Sequence, residues 1–169
     1  MRLFIAIQPN KSVRAALRAI QNELRRRGVE GNYTRVENLH LTLAFIGEYP
    51  EADTVLDALQ GLCFDPFPIW TEGFGSFGDL WWMGLASNGE LDALDKRLRH
   101  VLADAEIPFD RKSFRAHITL VRQPRFRTDP HLDSLLIPVA EMTVDKVSHM
   151  LSTRGKNGMI YTELGSVSG

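Results

Sequence analysis

The sequence predicts an α+β fold of two similar lobes, each with an antiparallel sheet and flanking helices, with a cleft between them. The first observation behind this prediction is a tetrapeptide, HLTL at residues 40–43, that returns as HITL at residues 117–120. The second is that the same spacing of 77 residues aligns the helix-like and strand-like segments around the two copies. The third is a content of 44% hydrophobic and 24% charged residues, which is typical of a globular protein.

Each repeat opens with a predicted strand and an amphipathic helix. Arg2–Ile7 is strand-like, and the shared spacing places it, to within a residue, on the apolar segment Leu80–Leu85. The first helix ends in three arginines followed by Gly28, a common C-terminal signal. The apolar stripes that predict the two helices are Leu17, Ile20 and Leu24 in the first, and Leu91, Leu94, Leu98, Val101 and Leu102 in the second.

The segments that follow the two tetrapeptides also correspond. Ala52–Leu59 and residues 131–136 predict short helices, residues 67–72 and 144–149 predict strands, and glycine-containing turns are expected at 73–78 and 155–158. Residues 158–162 predict the last strand. We therefore expect one bilobal domain over residues 1–169, with an internal repeat of approximately 1–77 and 78–169.

The repeated tetrapeptide suggests acid–base chemistry. In a strand, the aliphatic residues of the tetrapeptide point into the core, whereas His40 and Thr42 share the opposite face, as do His117 and Thr119. Imidazole titrates near neutrality, so one ring can serve as a base while the other serves as an acid. Threonine hydroxyls are suited to hold phosphate oxygens and to stabilise developing charge. Paired in this way, the motifs favour cleavage of a phosphate ester.

Other functional classes have no support in the sequence. Two histidines lack the third ligand that a zinc site needs, and no nucleotide-cradling or serine-hydrolase motif is present, so neither metal nor cofactor is expected. The single Cys63 excludes an internal disulfide and is expected to be a buried thiol. The chain has no membrane-spanning apolar run and no signal peptide, which favours a cytoplasmic monomer without an obligate protein partner.

The distribution of charge predicts an anionic ligand. The net charge of −1 argues against general polynucleotide binding. Residues 111–127, however, contain six basic residues and no acidic one, and they enclose the second tetrapeptide. Such a local patch attracts phosphate.

At these residues the chain resembles the 2H phosphoesterase superfamily, and more closely its RNA 2′,3′-cyclic phosphodiesterases, the LigT-like or 2′-5′ RNA ligase family. The matching segments are residues 1–7, 36–43, Phe45 with Gly47 and Glu48, and residues 114–120 followed by Arg122. The resemblance implies a bilobal fold and hydrolysis of RNA 2′,3′-cyclic phosphate ends, or of nucleotides with such an end, to 2′-phosphomonoesters. It also implies a possible reverse 2′-5′ ligation in vitro.

Roles for individual residues follow from the same resemblance. His117 corresponds to the general base that activates water, and His40 to the general acid that protonates the departing 3′ oxygen. Thr42, Thr119 and Arg122 correspond to the phosphate-binding groups, while Phe45 and Arg115 are candidates for lining the substrate. For Phe45 a core position is nearly as well supported, because strict alternation continues the face of Leu41 and Leu43.

Two alternatives stay open. One is a cyclic phosphodiesterase acting on small nucleotides, such as ADP-ribose cyclic phosphate or a 2′-5′ oligoadenylate. The other is a module that binds a nucleotide or an RNA end without turnover. Binding alone needs neither an acid nor a base, so the intact pairs of histidine and threonine argue against the second alternative, and the basic run favours a longer RNA end over the first.

Overall fold

A computed structural model describes all 169 residues and has three α-helices among nine strands. The helices are α1 (Lys11–Arg26), α2 (Ala52–Leu59) and α3 (Gly89–Asp104), and two 3-10 turns cover Val36–Asn38 and Leu132–Ser134. The strands are β1 (Arg2–Ile7), β2 (Glu30–Tyr33), β3 (Leu41–Glu48), β4 (Phe67–Phe77), β5 (Leu80–Leu85), β6 (His117–Arg125), β7 (Glu141–Val144), β8 (Lys146–Gly155) and β9 (Gly158–Ser168).

All strand pairs are antiparallel, which confirms the predicted α+β class. The strands follow one path, β7-β4-β5-β6-β3-β1-β8-β9, with β2 added beside β6. The two lobes were expected to carry separate sheets, and here the structure differs, because β3 and β6 join them through the pair Leu41 and Ile118. The order of the six central strands, β4-β5-β6-β3-β1-β8, is symmetric about its centre. The equivalent positions on the two sides are those of β6 and β3, of β5 and β1, and of β4 and β8. This order supports the division into two repeats, which stays a prediction.

The helices cover one face of the sheet. The predicted stripes are buried apart from the half-buried Val101, and Leu17, Leu24 and Leu94 are fully inaccessible within one large apolar core that also takes in Leu3 and Ile5 of β1. Burial of such stripes is the main source of stability for amphipathic helices. Asn10 caps α1 by accepting a hydrogen bond from the Val13 amide. The opposite face of the sheet is left open for a site.

Each histidine-bearing strand contains one extra residue just after its threonine. In β3, Thr42 pairs with Ala6 and Ala44 with Ile5, so Leu43 is unpaired. In β6, Leu120 is left out in the same way. A bulge of this kind shifts the alternation of side chains by one residue.

The paired bulges decide where two predicted site residues lie. Phe45 pairs with Phe4, and therefore shares the open face with Thr42 rather than the core face of Leu43. Arg122, which lies 77 residues after Phe45, is placed on the open face in the same way. The expectation from strict alternation, that Phe45 continues the core face, is wrong because of the bulge.

Several predicted boundaries also differ. The glycine turn expected at 73–78 is confined to Gly78 and Asp79, since β4 bulges at Gly73 (φ 79°) and continues to Phe77. The helix expected at 131–136 shrinks to one 3-10 turn because His131 is left-handed. The strand expected at 144–149 is divided at Asp145, where the chain passes from the β4 edge to the β1 side of the sheet.

Two features were missed or mistaken. The short, polar strand β2 has no apolar alternation and so gave no signal. Cys63, expected to be buried, is exposed between the buried Leu62 and Phe64. None of the helices is both long enough and apolar enough to cross a membrane.

Candidate active site

The two motif histidines make the same backbone hydrogen bond. His40 Nδ1 lies 2.7 Å from the carbonyl oxygen of Asn38, and His117 Nδ1 lies 2.6 Å from that of Arg115. A carbonyl oxygen only accepts, so Nδ1–H is the donor in both rings. This fixes each ring and leaves Nε2 for proton transfer, as an acceptor in the neutral ring and as a donor in the charged one.

Aromatic rings flank each histidine. The ring of His40 lies 4.9 Å from Phe4 and 5.2 Å from Tyr161. Sequence reasoning assigned no role to these neighbours, and only the strand order, which places β1 and β9 on either side of β8, brings them to the site.

The second histidine is walled by Phe77 at 5.1 Å and Trp82 at 6.1 Å. The two walls therefore come from different strands of the two halves: β1 and β9 for the first histidine, β4 and β5 for the second.

The surroundings of His40 favour its neutral form. Burial lowers the pKa of His40 below its usual value, and electrostatic repulsion from the nearby Arg122, from His117 when it is protonated, and from Arg14 lowers it further. The hydrogen bond to the Asn38 carbonyl opposes this shift. Arg14 itself is held near the motif by its bond to the carbonyl oxygen of Pro9 at 2.9 Å.

Two adjoining cavities open on this face. The first, of about 800 Å³, lies beside His40, and the second, of about 610 Å³, lies beside His117. Thr42 and Phe45 line both, so the two form one groove across the motifs. Of the predicted site residues, the first cavity takes in His40, Thr42, Phe45 and Arg122, and the second Thr42, Phe45, Arg115 and His117. Thr119 lines neither; it is half-buried opposite Trp82 on the same strand face.

The predicted basic run divides on folding. Arg122 enters the first cavity, and Lys112 and Arg115 enter the second. Arg111 instead stacks on Phe109, and Arg125 pairs with Glu30 at 3.7 Å. The run as a whole is thus not a single anion-binding surface.

Cations from distant parts of the chain complete the groove. Arg2 and Arg154 join Arg122 in the first cavity, and Arg99 joins the second. Arg2 also lies over the ring of Phe45, at 4.9 Å from its centroid. No local sequence signal marked these residues, because β1 and β8, which carry Arg2 and Arg154, become neighbours only in the folded sheet.

Two histidine–threonine strands that meet at the centre of an antiparallel sheet define a phosphoesterase of the two-histidine class. The chain belongs to the 2′-5′ RNA ligase superfamily, whose family model matches residues 8–156. It is 31% identical to a protein named RNA 2′,3′-cyclic phosphodiesterase from Thermotoga maritima, over 97% of this chain and 93% of that one. A protein of the same name from Archaeoglobus fulgidus is 35% identical over 74% of each chain. Among solved structures, LigT of E. coli in its apo form is similar in fold, with a TM-score of 0.79, 24% identity and coverage of 99% of this chain and 96% of that one.

Proposed function

We propose that this protein hydrolyses 2′,3′-cyclic phosphate ends of RNA to 2′-phosphomonoesters, without metal, by acid–base catalysis between His40 and His117. The observation that carries the proposal is the matched pair of Nδ1–H bonds to backbone carbonyls, which leaves the same nitrogen of both rings for proton transfer. His117 takes a proton from water, and His40 gives one to the departing 3′ oxygen.

The groups that hold the phosphate lie on the same strand face as the histidines. Thr42 and Thr119 offer hydroxyl donors, and Arg122 adds positive charge, as negative charge builds up on the phosphate oxygens. A bound phosphate also acts on His40. An anion beside the ring favours the imidazolium, and so raises the pKa of His40 from its lowered value in the free protein. Substrate binding thereby favours uptake of a proton from solvent by His40, which the acid role requires.

An RNA end fits the groove better than a single small nucleotide. The relatives from Thermotoga maritima and Archaeoglobus fulgidus are both named for RNA 2′,3′-cyclic phosphate. Cations and aromatic rings lie on both sides of the motifs, with Arg2 and Tyr161 in the first cavity and Lys112 and Phe77 in the second. A chain that crosses the centre would use both sides.

The second candidate is a cyclic phosphodiesterase for small nucleotides. The first cavity on its own has the size of a small-molecule site and contains three arginines with two aromatic rings beside His40. It is complete enough to accept one nucleotide without help from the second cavity.

The test is hydrolysis of an RNA oligonucleotide with a 2′,3′-cyclic phosphate end, in EDTA, with the product identified as a 2′- or 3′-phosphate. We expect a 2′-phosphate, and a loss of about 10²- to 10⁴-fold in kcat/KM in both His40→Ala and His117→Ala. His100→Ala is the matched control, since His100 is 79% exposed on α3, away from the groove. Activity on a small cyclic nucleotide but not on RNA would favour the second candidate, and retention of the RNA end without turnover would reject catalysis.

A further inference from the structure

Asn38 links the first motif to the hairpin of β8 and β9. Its carbonyl oxygen accepts the hydrogen bond from His40 Nδ1, and its side-chain Nδ2 donates to the carbonyl oxygen of Met159 at 2.9 Å. The residue is buried, with 8% of its surface exposed. One residue therefore contacts both the ring that performs the proposed chemistry and the outer end of the hairpin.

The hairpin forms the outer wall of the first cavity. Arg154 from β8, and Met159 and Tyr161 from β9, line the cavity, and the Tyr161 ring lies 5.2 Å from that of His40. The β-turn at residues 156–157 connects these two strands, and neither of its residues is paired with a strand. The position of this wall thus depends on contacts with other parts of the chain.

A second contact lies beside the first. A Cβ added at Gly158 would meet the Arg35 guanidinium at 3.4 Å, so the hairpin rests against the segment between Arg35 and His40. Asn38 lies in the 3-10 turn of this segment, and its amide donates to the Arg35 carbonyl oxygen at 2.8 Å. The turn thereby presents the Asn38 side chain to the hairpin in a fixed position.

The second motif shows that orienting the histidine does not require this link. Arg115, which lies 77 residues after Asn38, offers its carbonyl oxygen to His117 in the same way. Its side chain, however, is exposed and lies over the Phe77 ring at 5.6 Å. The amide of Asn38 is therefore an addition specific to the first half.

We propose that Asn38 is a positioning residue that fastens the β8–β9 hairpin against His40 and so keeps the wall of the first cavity closed. Its effect on turnover rests on the function proposed above, whereas its effect on the hairpin does not. A fastened wall excludes water from the ring of His40 and holds Tyr161 and Arg154 in place for the nucleotide.

The variant that tests this is Asn38→Leu, which roughly preserves side-chain volume and removes the amide group that donates to the Met159 carbonyl oxygen. We expect faster amide hydrogen exchange at residues 155–161, a fall in kcat/KM of about 10- to 100-fold, and a pKa of His40 that rises toward its usual value as water reaches the ring. The ionisable residues that act on His40, namely Arg122, His117 and Arg14, are unchanged in this variant. A rise in the pKa of His40 therefore reports the entry of water past the hairpin wall.

Asn22→Leu is the matched control, because Asn22 is exposed on α1 and contacts Arg25 on the helical side of the sheet, away from both histidines. Hairpin exchange and His40 titration that match those of the control would overturn the proposal.

A measurement on the wild type decides the matter even if the variant does not fold. The Nδ2 protons of Asn38 should exchange with solvent much more slowly than those of Asn22, because only the former are buried in a bond to the backbone. Equal exchange of the two side-chain amides would reject the link. An enzyme inert on RNA would reject the proposed function and leave these exchange results to stand on their own.

Discussion

The two halves of the groove share a backbone and differ in side chains. Each half presents a histidine tied to the carbonyl two residues before it, a threonine two residues later, and a bulge at the next position. The shared backbone gives the proposed acid and the proposed base the same local geometry. Chemical differences between the two must then come from the residues that surround each motif.

Two equivalent pairs of positions hold those differences. Asn38 is buried and bonded to the hairpin, whereas its counterpart Arg115 is exposed in the second cavity. Phe45 offers a ring to both cavities, whereas its counterpart Arg122 offers a cation beside His40. The first half thus surrounds its histidine with packing and positive charge, and the second leaves its histidine more open. We infer that the backbone geometry shared by the two halves determines the acid–base chemistry. The side chains that differ determine the direction in which the substrate lies along the groove.

The largest effect on activity is expected from substitution of the threonines, which both halves share. If both threonines hold the phosphate, Thr42→Val and Thr119→Val should each lower kcat by about 10²-fold, because valine keeps the shape and removes the donor. Steady-state kinetics on the cyclic-phosphate RNA measures both. Thr143→Val is the control, since Thr143 is an exposed strand residue on β7.

Unequal losses of kcat in the two threonine variants would contradict the equivalence of the two halves. A large effect at Thr42, which lines both cavities, with none at Thr119, which lines neither, would mean that only one half holds the phosphate.

A smaller effect on activity is expected from substitution of Arg122, a position at which the two halves differ. Arg122→Gln removes a cation from the first cavity, and we expect KM to rise by about 10- to 100-fold, as for loss of a charge-assisted hydrogen bond. The same change should raise the pKa of His40, because the charge of Arg122 lowers it in the wild type. NMR titration of the imidazole checks the second point.

Arg122→Lys separates charge from shape. It should keep the low pKa of His40 while losing part of the affinity, because lysine retains the charge without the planar fork of donors. A His40 titration that is unchanged in Arg122→Gln would show that burial alone sets its value.

Much of this arrangement was open to prediction from the sequence, and the reason lies in the repeat. The spacing of 77 residues identified the two helices, the histidine strands and the α+β class, because apolar periodicity is a local property of the chain. The resemblance to a known family supplied the candidate residues now found along the groove, among them Phe45 and Arg122.

The rest depends on neighbours that only the folded sheet defines. The bulges at Leu43 and Leu120 exist only relative to a partner strand, so alternation alone misplaced Phe45. The walls from Phe4 and Tyr161 depend on β1 and β9 lying on either side of β8. The polar β2 forms because β6 offers it an edge, with Asn32 opposite Arg122.

The smallest effect concerns a position where the halves differ outside the groove. Glu72 is exposed on β4, whereas His149, 77 residues later, is fully buried on β8 between Ile5 and Gly165. Neither ring nitrogen of His149 has a hydrogen-bond partner. Burial lowers the pKa of His149, and the charge of Asp53 opposes this only in part. The buried half of the pair therefore holds an imidazole that resists protonation.

The buried, neutral His149 predicts that the free energy of unfolding decreases as the pH falls. Above the unfolded pKa of about 6.5, both states hold a neutral ring, and the contribution of His149 is complete. As pH falls through that value, the unfolded chain takes up the proton and the folded chain does not, so the free energy of unfolding drops by at most about 1.4 kcal/mol per pH unit. His149→Leu should abolish this part of the slope, and at pH 7 it should cost little, because it removes two unsatisfied polar atoms from the core. Urea unfolding of wild type and variant at several pH values gives the difference, in which the similar contribution of His40 cancels. His100→Ala serves as the exposed control, and a slope in His149→Leu equal to that of the wild type would show that His149 is already protonated, or already solvated, in the folded protein.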